Sequence, residues 1–412
     1  MAQLDAGELT GVYRDLHAHP ELGFRETRTA GIVAEQLTAL GYRVTTGVGG
    51  TGVVGLLGNG AGPVVLLRAD MDGLPVAEET GLPYASTDTG VDREGRDGPV
   101  MHACGHDMHM SCLLGAAQVL ANDRNRWSGT LMLVFQPAEE LGQGAKAMVR
   151  DGLFERFEPP AVLLGQHVAP FPAGLLAIRP GTAFAASDSL RVRLFGRGGH
   201  GSRPESAIDP VVLAAGTVLR LQTIVSRELA AAESAVLTVG ALHAGTAANV
   251  IPDDAELLLS IRTFDLGVRS RVLAAVERIV RGEAAAAGAT RDPEVLTIES
   301  FPAVVNDIAA SARTTGVWQE WLGPGRVIDP GPIPGSEDVG VLATAAGCPC
   351  VFWLLGGADP ALFANGLDLD VLRNIPSNHS PRYAPVIEPT LTMGVGALVR
   401  AALAWLPVTE GG

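Results

Sequence analysis

The sequence predicts an α/β protein: a mixed sheet flanked by helices, with a ferredoxin-like β-α-β-β-α-β unit inserted into it. Three observations lead there. Short apolar runs alternate with helical stretches from about residue 40 to 180. Polar residues follow directly on the ends of those runs, where open α/β sheets gather their ligands. Between residues 183 and 299 the pattern changes to strand, helix, strand, strand, helix, strand, and after residue 300 the first pattern resumes. The expected division is a main domain of residues 1–182 and 300–412, interrupted by an inserted domain of 183–299.

Residues 7 to 40 read as helical with a break near Pro20, and Arg25 to Leu40 stops at a glycine suited to a helix end. Tyr42 to Thr46 is a short strand. Gly47-Val48-Gly49-Gly50-Thr51-Gly52 matches a dinucleotide fingerprint by letter. That motif must open a helix, yet the strand-like Val53-Val54-Gly55-Leu56-Leu57 follows, so it is a hairpin turn. Val64 to Arg68 is a buried strand that runs into Asp70 and Asp72, which suit either a turn or a site. Residues 85–100 form a polar loop. Ser111 to Ala121 is a helix, and Thr130 to Phe135 a strand ending in Glu139-Glu140. Ala161 to Gly165 is another strand, ending in Gln166-His167.

In the inserted part, Ser189 to Phe195, Ala235 to Ala241, Ala255 to Arg262 and Glu294 to Ile298 are strands. Pro210 to Leu229 and Val268 to Ala287 are helices. Cys350 to Leu355 is a late strand, and Leu391 to Leu406 a helix that closes the main domain.

Composition narrows the class. The 412 residues are 47% hydrophobic and 18% charged, enough to bury large cores. A net charge of −15 argues against nucleic acid. Four unevenly spaced cysteines do not make a disulfide framework, which points to reduced thiols and the cytoplasm. No basic-then-apolar leader is visible, and no apolar run approaches the ~18 residues of a membrane span.

The chemistry concentrates in Met101-His102-Ala103-Cys104-Gly105-His106-Asp107-Met108-His109-Met110, which holds three of the nine histidines. Imidazole and thiolate together suit a borderline-soft divalent metal. His102, Cys104, His106 and His109 are all candidates, and spacing alone does not choose among them. Glu139 and Glu140 point opposite ways on extended backbone, so one can meet a metal and the other a metal-bound water. His167 and His379 are candidate further donors.

The chain resembles the metal-dependent amidohydrolases of the aminoacylase and carboxypeptidase clan, nearest the branch of hippurate and indole-acetyl-amino-acid hydrolases. The stretches that carry the resemblance are His17-Ala18-His19-Pro20-Glu21-Leu22, Leu67 to Pro75, His102 to His109, Phe135-Gln136-Pro137-Ala138-Glu139-Glu140, Gly198-Gly199-His200, Asn249-Val250-Ile251-Pro252 and Asn378-His379-Ser380-Pro381. The resemblance implies a di-metal peptidase-like catalytic domain with an inserted lid and dimerisation domain. It implies that Cys104, His106, Glu140, His167 and His379 hold two divalent ions per subunit, zinc or manganese first, cobalt or nickel next. Glu139 would be the general base. His200 would reach a partner subunit's site, in a homodimer or dimer-based tetramer, and hold an oxyanion. Asn249 and Arg262 would take the substrate's α-carboxylate. Asp72 and Asp107 would orient ligands, with His102 and His109 behind them or at the substrate. The reaction implied is hydrolysis of the amide bond of N-acyl amino acids. Alternatives are a di-metal dipeptidase or carboxypeptidase, a deacetylase of an amino-acid precursor, or a non-catalytic metal-stabilised binder. Glu205 replaces a histidine found in that branch, and Gln166 stands where an apolar or small residue is expected.

Overall fold

The computed structural model describes residues 6–364, 366 and 373–407. The chain divides into two compact units, one of residues 1–183, 305–331 and 338–412, the other of 184–304 and 332–337. The segment 332–337, which the sequence reading left in the main domain, counts with the second unit.

The first unit is built on an eight-stranded sheet. Its strands run in the order Arg43–Val48, Gly52–Asn59, Gly129–Gln136, Val64–Asp70, Val162–Pro172, Cys350–Ala358, Leu176–Ala177, Val327–Ile328. The four central strands are mutually parallel. They read as unbroken apolar runs because both faces are covered: every residue of Val64–Asp70 is buried. Their carboxyl ends therefore lie along one edge. The glycine-rich turn after Val48 joins two antiparallel strands, with Val48 opposite Gly52, as a hairpin requires.

The helix at residues 106–122 starts earlier than its apolar run suggested, at His106. The metal-type cluster thus spans its first turn. Gly105 precedes it at φ 83°, and a side chain there would bring Cβ within 2.4 Å of Val168 Cγ1. Only glycine allows the helix to begin against that strand. The helix Ile387–Trp405 is long and apolar enough to cross a membrane, but its buried residues join the main core. At Gly394 it lies close to Cys112, Gln166 and Leu355.

Gln166, the residue out of place in the sequence, is buried and accepts a hydrogen bond from Trp353 Nε1 at 3.2 Å. Trp353 stacks edge-on against Trp318, with 4.7 Å between ring centroids. An amide is needed there because a buried indole N–H requires an acceptor.

The second unit has a four-stranded antiparallel sheet in the order Ala235–Ala244, Asp254–Thr263, Ala186–Phe195, Glu294–Phe301. The helices Pro210–Thr223 and Leu266–Ala286 pack on it through a core of its own. In chain order this is β-α-β-β-α-β. Asp209 and Asp265 cap the two helices by accepting backbone N–H groups. The alternation of Asp254–Thr263, buried at every second residue, is that of a sheet with one covered face.

Gly394→Ala tests the close packing of the terminal helix. Alanine improves helix propensity by about 1 kcal/mol. Its Cβ would stand 2.5 Å from Cys112 Sγ and 2.8 Å from both Gln166 Nε2 and Leu355 Cδ2, and such overpacking costs about 1–3 kcal/mol. Three neighbours must move at once, so the clash wins. The expected result is a lower denaturant midpoint; a higher one would refute the packing account.

Candidate metal centre

The site assembles at the carboxyl edge of the central strands. Asp70 ends one strand and Asp72 lies two residues beyond it. Glu139 and Glu140 follow the neighbouring strand, and His167 lies within the next. Cys104 and His106 arrive at the helix start, and His379 from a loop near the end of the unit, where it adopts φ 71°. Its backbone N–H donates to Ala103 O at 2.8 Å, which fastens that loop to the cluster.

Distances show how the side chains face one another. Cys104 Sγ is 3.4 Å from His167 Nε2. Glu140 Oε1 is 3.3 Å from His379 Nε2 and 3.8 Å from His106 Nε2. His106 Nε2 is 3.9 Å from Glu139 Oε2. Three donor groups drawn from these residues have ligand atoms within 4.8 Å of one another: Cys104, His106 and His167; Cys104, Glu140 and His379; and His106, Glu139 and Glu140; a further group of this kind behind them is Asp70, His106 and His109. The five residues named as ligands from sequence are thus brought together, with Glu139 beside them.

The hydrogen bonds fix which nitrogen each histidine offers. His167 Nδ1 donates to Val168 O at 2.8 Å, which leaves Nε2 as a lone-pair donor toward Cys104. His109 is different. Its Nε2 accepts the Val168 N–H at 2.7 Å, so its Nδ1 donates to Asp70 at 2.6 Å. Both nitrogens are used, and His109 is a buried brace behind His167 with no nitrogen left for a metal or a substrate. His102 is also buried, at 1% exposure.

Asp72 touches both a candidate ligand and the loop of Glu139 and Glu140. Its Oδ1 lies 3.3 Å from His106 Nδ1. The same carboxylate accepts the backbone N–H of Glu139 at 3.1 Å and of Glu140 at 3.0 Å. The Asp107 carboxylate accepts from His17 Nδ1 at 2.6 Å and from the Met108 N–H at 2.9 Å, so it ties His17 to the start of the helix that carries His106.

The charge balance fits a cationic occupant. Asp70, Asp72 and Glu139 are buried and Glu140 nearly so. Burial pulls the His106 pKa down, but Asp70, Asp72 and Glu140 outweigh it and hold it at about 10. Burial, and then the Glu140 and Glu139 charges, push the Cys104 thiol well up. His106 Nε2 is buried without a hydrogen-bond partner among the described residues, and it faces carboxylates at 3.8–3.9 Å, beyond hydrogen-bond reach. Sulfur, nitrogen and oxygen donors gathered this closely suit divalent metal ions.

Residues 66–369 match the model of Peptidase family M20/M25/M40. The chain belongs to this family. It is 40% identical over 351 residues to the hippurate hydrolase of Campylobacter jejuni, covering 84% of this chain and 88% of that one. It superposes with a TM-score of 0.85 on a crystal structure from methicillin-resistant Staphylococcus aureus, at 30% identity over 98% of this chain and 97% of that one. With a Bacillus subtilis protein described as a dinuclear metal-binding peptidase of the M20 family, the TM-score is 0.77 at 28% identity, over 97% and 98% of the two chains.

Three residues named for this M20 enzyme belong to the second unit. His200 and Asn249 share a two-stranded ribbon, in which His200 lies opposite Val250 and Gly201 N–H donates to Asn249 O at 2.8 Å. Both are exposed. His200 Nδ1 accepts the Ser202 N–H at 3.1 Å, so Nε2 carries the ring proton. Arg262 is half-buried and donates to Ser336 Oγ at 2.8 Å, an attachment for the segment 332–337.

Sequence reasoning missed several buried supports. Arg68 bonds Asp70 at 2.7 Å and Gln136 at 3.0 Å. Gln136 in turn donates to Asp338 at 2.7 Å. His17 bridges Asp107 and Glu78, the latter at 3.0 Å. His17 lies in a quoted stretch, which was the available signal; Glu78, Glu26 and Asp338 had none.

Burial lowers the His17 pKa, but its hydrogen bonds to the Asp107 and Glu78 carboxylates raise it more, to about 10 against an ordinary 6.5. A raised basic pKa stabilises the fold fully below pH 6.5, and that share is lost as pH climbs toward 10. His17→Gln, which cannot titrate, should lose stability at pH 6 and show a shallower decline between pH 6.5 and 10. Denaturant midpoints across that window check it; parallel pH curves for the two proteins would disprove it.

Proposed function

We propose that this chain hydrolyses the amide bond of N-acyl amino acids, releasing a carboxylic acid and a free amino acid. The observation that carries the reading is the pair Glu139 and Glu140. One faces His379 and His106 among the metal-type donors, and the other lies buried beside His106. Cys104, His106, Glu140, His167 and His379 would hold two divalent ions, with Cys104 common to two of the donor groups. Zinc or manganese is our first assignment, since thiolate, imidazole and carboxylate donors occur together. Bound ions supply Lewis acidity, which acidifies a water and polarises the amide carbonyl.

The protein's own groups do the rest. Glu139 takes the proton from the attacking water and returns it to the nitrogen of the leaving amino acid, base and then acid. His200, supplied by a second copy of the chain, donates its Nε2–H to the developing oxyanion. That tautomer is the one its Ser202 contact selects. Asn249 and Arg262 bind the α-carboxylate. A hollow of about 430 Å³ in the first unit is lined by apolar Leu22, Phe24, Leu74, Val91 and Leu141 and by charged Arg25, Asp92, Arg93, Glu94, Arg96 and Glu140, and we seat the acyl group there. The space beside its apolar side chains favours an aryl or longer aliphatic acyl group over acetyl.

A dimer through the second unit is supported by its outer edge. The strand Ala235–Ala244 ends the four-stranded sheet, with Val236 and Leu242 exposed. On the helix Pro210–Thr223, Val212 is 69% and Leu219 74% exposed. An unpaired apolar strand edge of this kind seeks a partner. All four cysteines are free thiols.

Two measurements test the reading. The metal-loaded enzyme, offered N-benzoyl, N-acetyl and indole-acetyl amino acids beside dipeptides, should release amino acid fastest from the aryl-acyl substrates. Glu139→Gln should keep two ions per chain and lose at least about 10³-fold in kcat; near wild-type turnover would remove Glu139 as base, and dipeptide preference would favour the exopeptidase reading.

His200→Ala should be inactive alone. Mixed with Glu139→Gln under subunit exchange, it should recover up to about a quarter of wild-type activity, because a heterodimer holds one intact site. No recovery with exchange proven by mass would remove the cross-subunit role.

A further inference from the structure

We propose that Glu26 is the positioning residue that aims Glu139, by pinning the strained peptide before it. The proposal rests on Glu139 being the base. Its own support is the way the loop from Pro137 to Gly144 is held.

Ala138 has φ 48°, in the left-handed region. That conformation is unfavourable for a residue with a Cβ, and it persists only where the surroundings impose it. Here they do. Ala138 is fully buried. Its N–H donates to Glu26 Oε1 at 2.8 Å, and its carbonyl accepts the Gly144 N–H at 3.1 Å. Gly144 cannot carry a side chain, because a Cβ would lie 1.5 Å from Pro137 O. The next two N–H groups, of Glu139 and Glu140, go to the two oxygens of Asp72. Three successive backbone N–H groups are thus held by two buried carboxylates. Glu26 sets the first peptide and Asp72 the second and third. The turn at Ala138 decides the direction in which Glu139 leaves the backbone.

Glu26 is itself fixed. It is fully buried and immediately precedes the helix Thr27–Ala39. Its second oxygen accepts a hydrogen bond from the Thr51 hydroxyl, in the glycine-rich hairpin turn. That turn, which resembles a nucleotide motif in sequence, here supports the carboxylate behind the active loop. Burial and the neighbouring Asp72 raise the Glu26 pKa to about 7. A carboxyl group in either protonation state can still accept from Ala138, because protonation occupies one oxygen and leaves the other as acceptor. Glutamine should therefore serve: its oxygen can accept from Ala138 and its amide can donate to Thr51.

The test is a set of four chains, wild type, Glu26→Ala, Glu26→Gln and Glu26→Ala/Ala138→Gly, each assayed for metal content, thermal midpoint, kcat and KM. Glu26→Ala should keep both ions and lower kcat about 10–100-fold, the range seen when a supporting hydrogen bond behind a site is removed, with KM within about threefold. Glu26→Gln should restore kcat to within about threefold of wild type. In the double variant, glycine takes the left-handed turn without strain, so kcat should recover at least about threefold over Glu26→Ala.

A purely structural Glu26 would lower the thermal midpoint and leave kcat per folded molecule unchanged, which overturns the proposal. Loss of metal in parallel with kcat overturns it too, as does a double variant no better than the single. Should Glu26→Ala not fold, Thr51→Val with and without Ala138→Gly carries the same comparison, because it frees the second oxygen of Glu26. The failures are separable. An active Glu139→Gln removes the base; an inactive Glu139→Gln with a fully active Glu26→Ala removes only the role of Glu26.

Discussion

Four carboxylates gathered at one sheet edge and kept from water are the constraint around which this molecule is built. Asp70, Asp72 and Glu139 are at most 6% exposed, and Glu140 stands beside them. Buried like charges repel strongly in a low dielectric and cost several kcal/mol each unless compensated. Every nearby feature of the first unit supplies compensation. Arg68 and His109 meet Asp70. Backbone N–H groups and His106 meet Asp72. Glu140 faces His379 and His106. Divalent cations would supply the remaining counter-charge, and a Bacillus subtilis protein of similar fold is described as a dinuclear metal-binding peptidase of the M20 family.

That electrostatic demand explains the packing behind the site. The parallel strands present their carboxyl ends together, which concentrates the acidic residues. The helix beginning at His106 carries one candidate ligand in its first turn, with Cys104 two residues before it, and buries almost its whole length, so these residues are held by a rigid element. The histidines divide the labour by tautomer. His167 gives its Nδ1–H to a backbone carbonyl and keeps Nε2 for the site, whereas His109 spends both nitrogens on holding Asp70 and the Val168 peptide. Two imidazoles with rings 4.5 Å apart thus have unlike roles because their second partners differ.

The second unit is organised by a different rule. Its core is aliphatic and its sheet alternates, with one face packed against two helices. His200 and Asn249 are exposed on a small two-stranded ribbon outside that sheet.

Local patterning reached the strand-end logic, the β-α-β-β-α-β order and a set of candidate donors, since patterning and residue chemistry are properties of short stretches. Spacing alone left His109 among those candidates and did not link Asp107 to His17, because those contacts involve partners 59 and 90 positions away in the chain. Glu26 was silent for the same reason: its partner Ala138 is 112 residues distant, and an isolated glutamate before a helix reads as a surface residue. Gln166 looked misplaced until Trp353, 187 residues on, supplied the N–H it accepts. Chain-local signals decide which residues can act; only tertiary contact, by fixing each group's hydrogen-bond partner and its burial, decides which of them do.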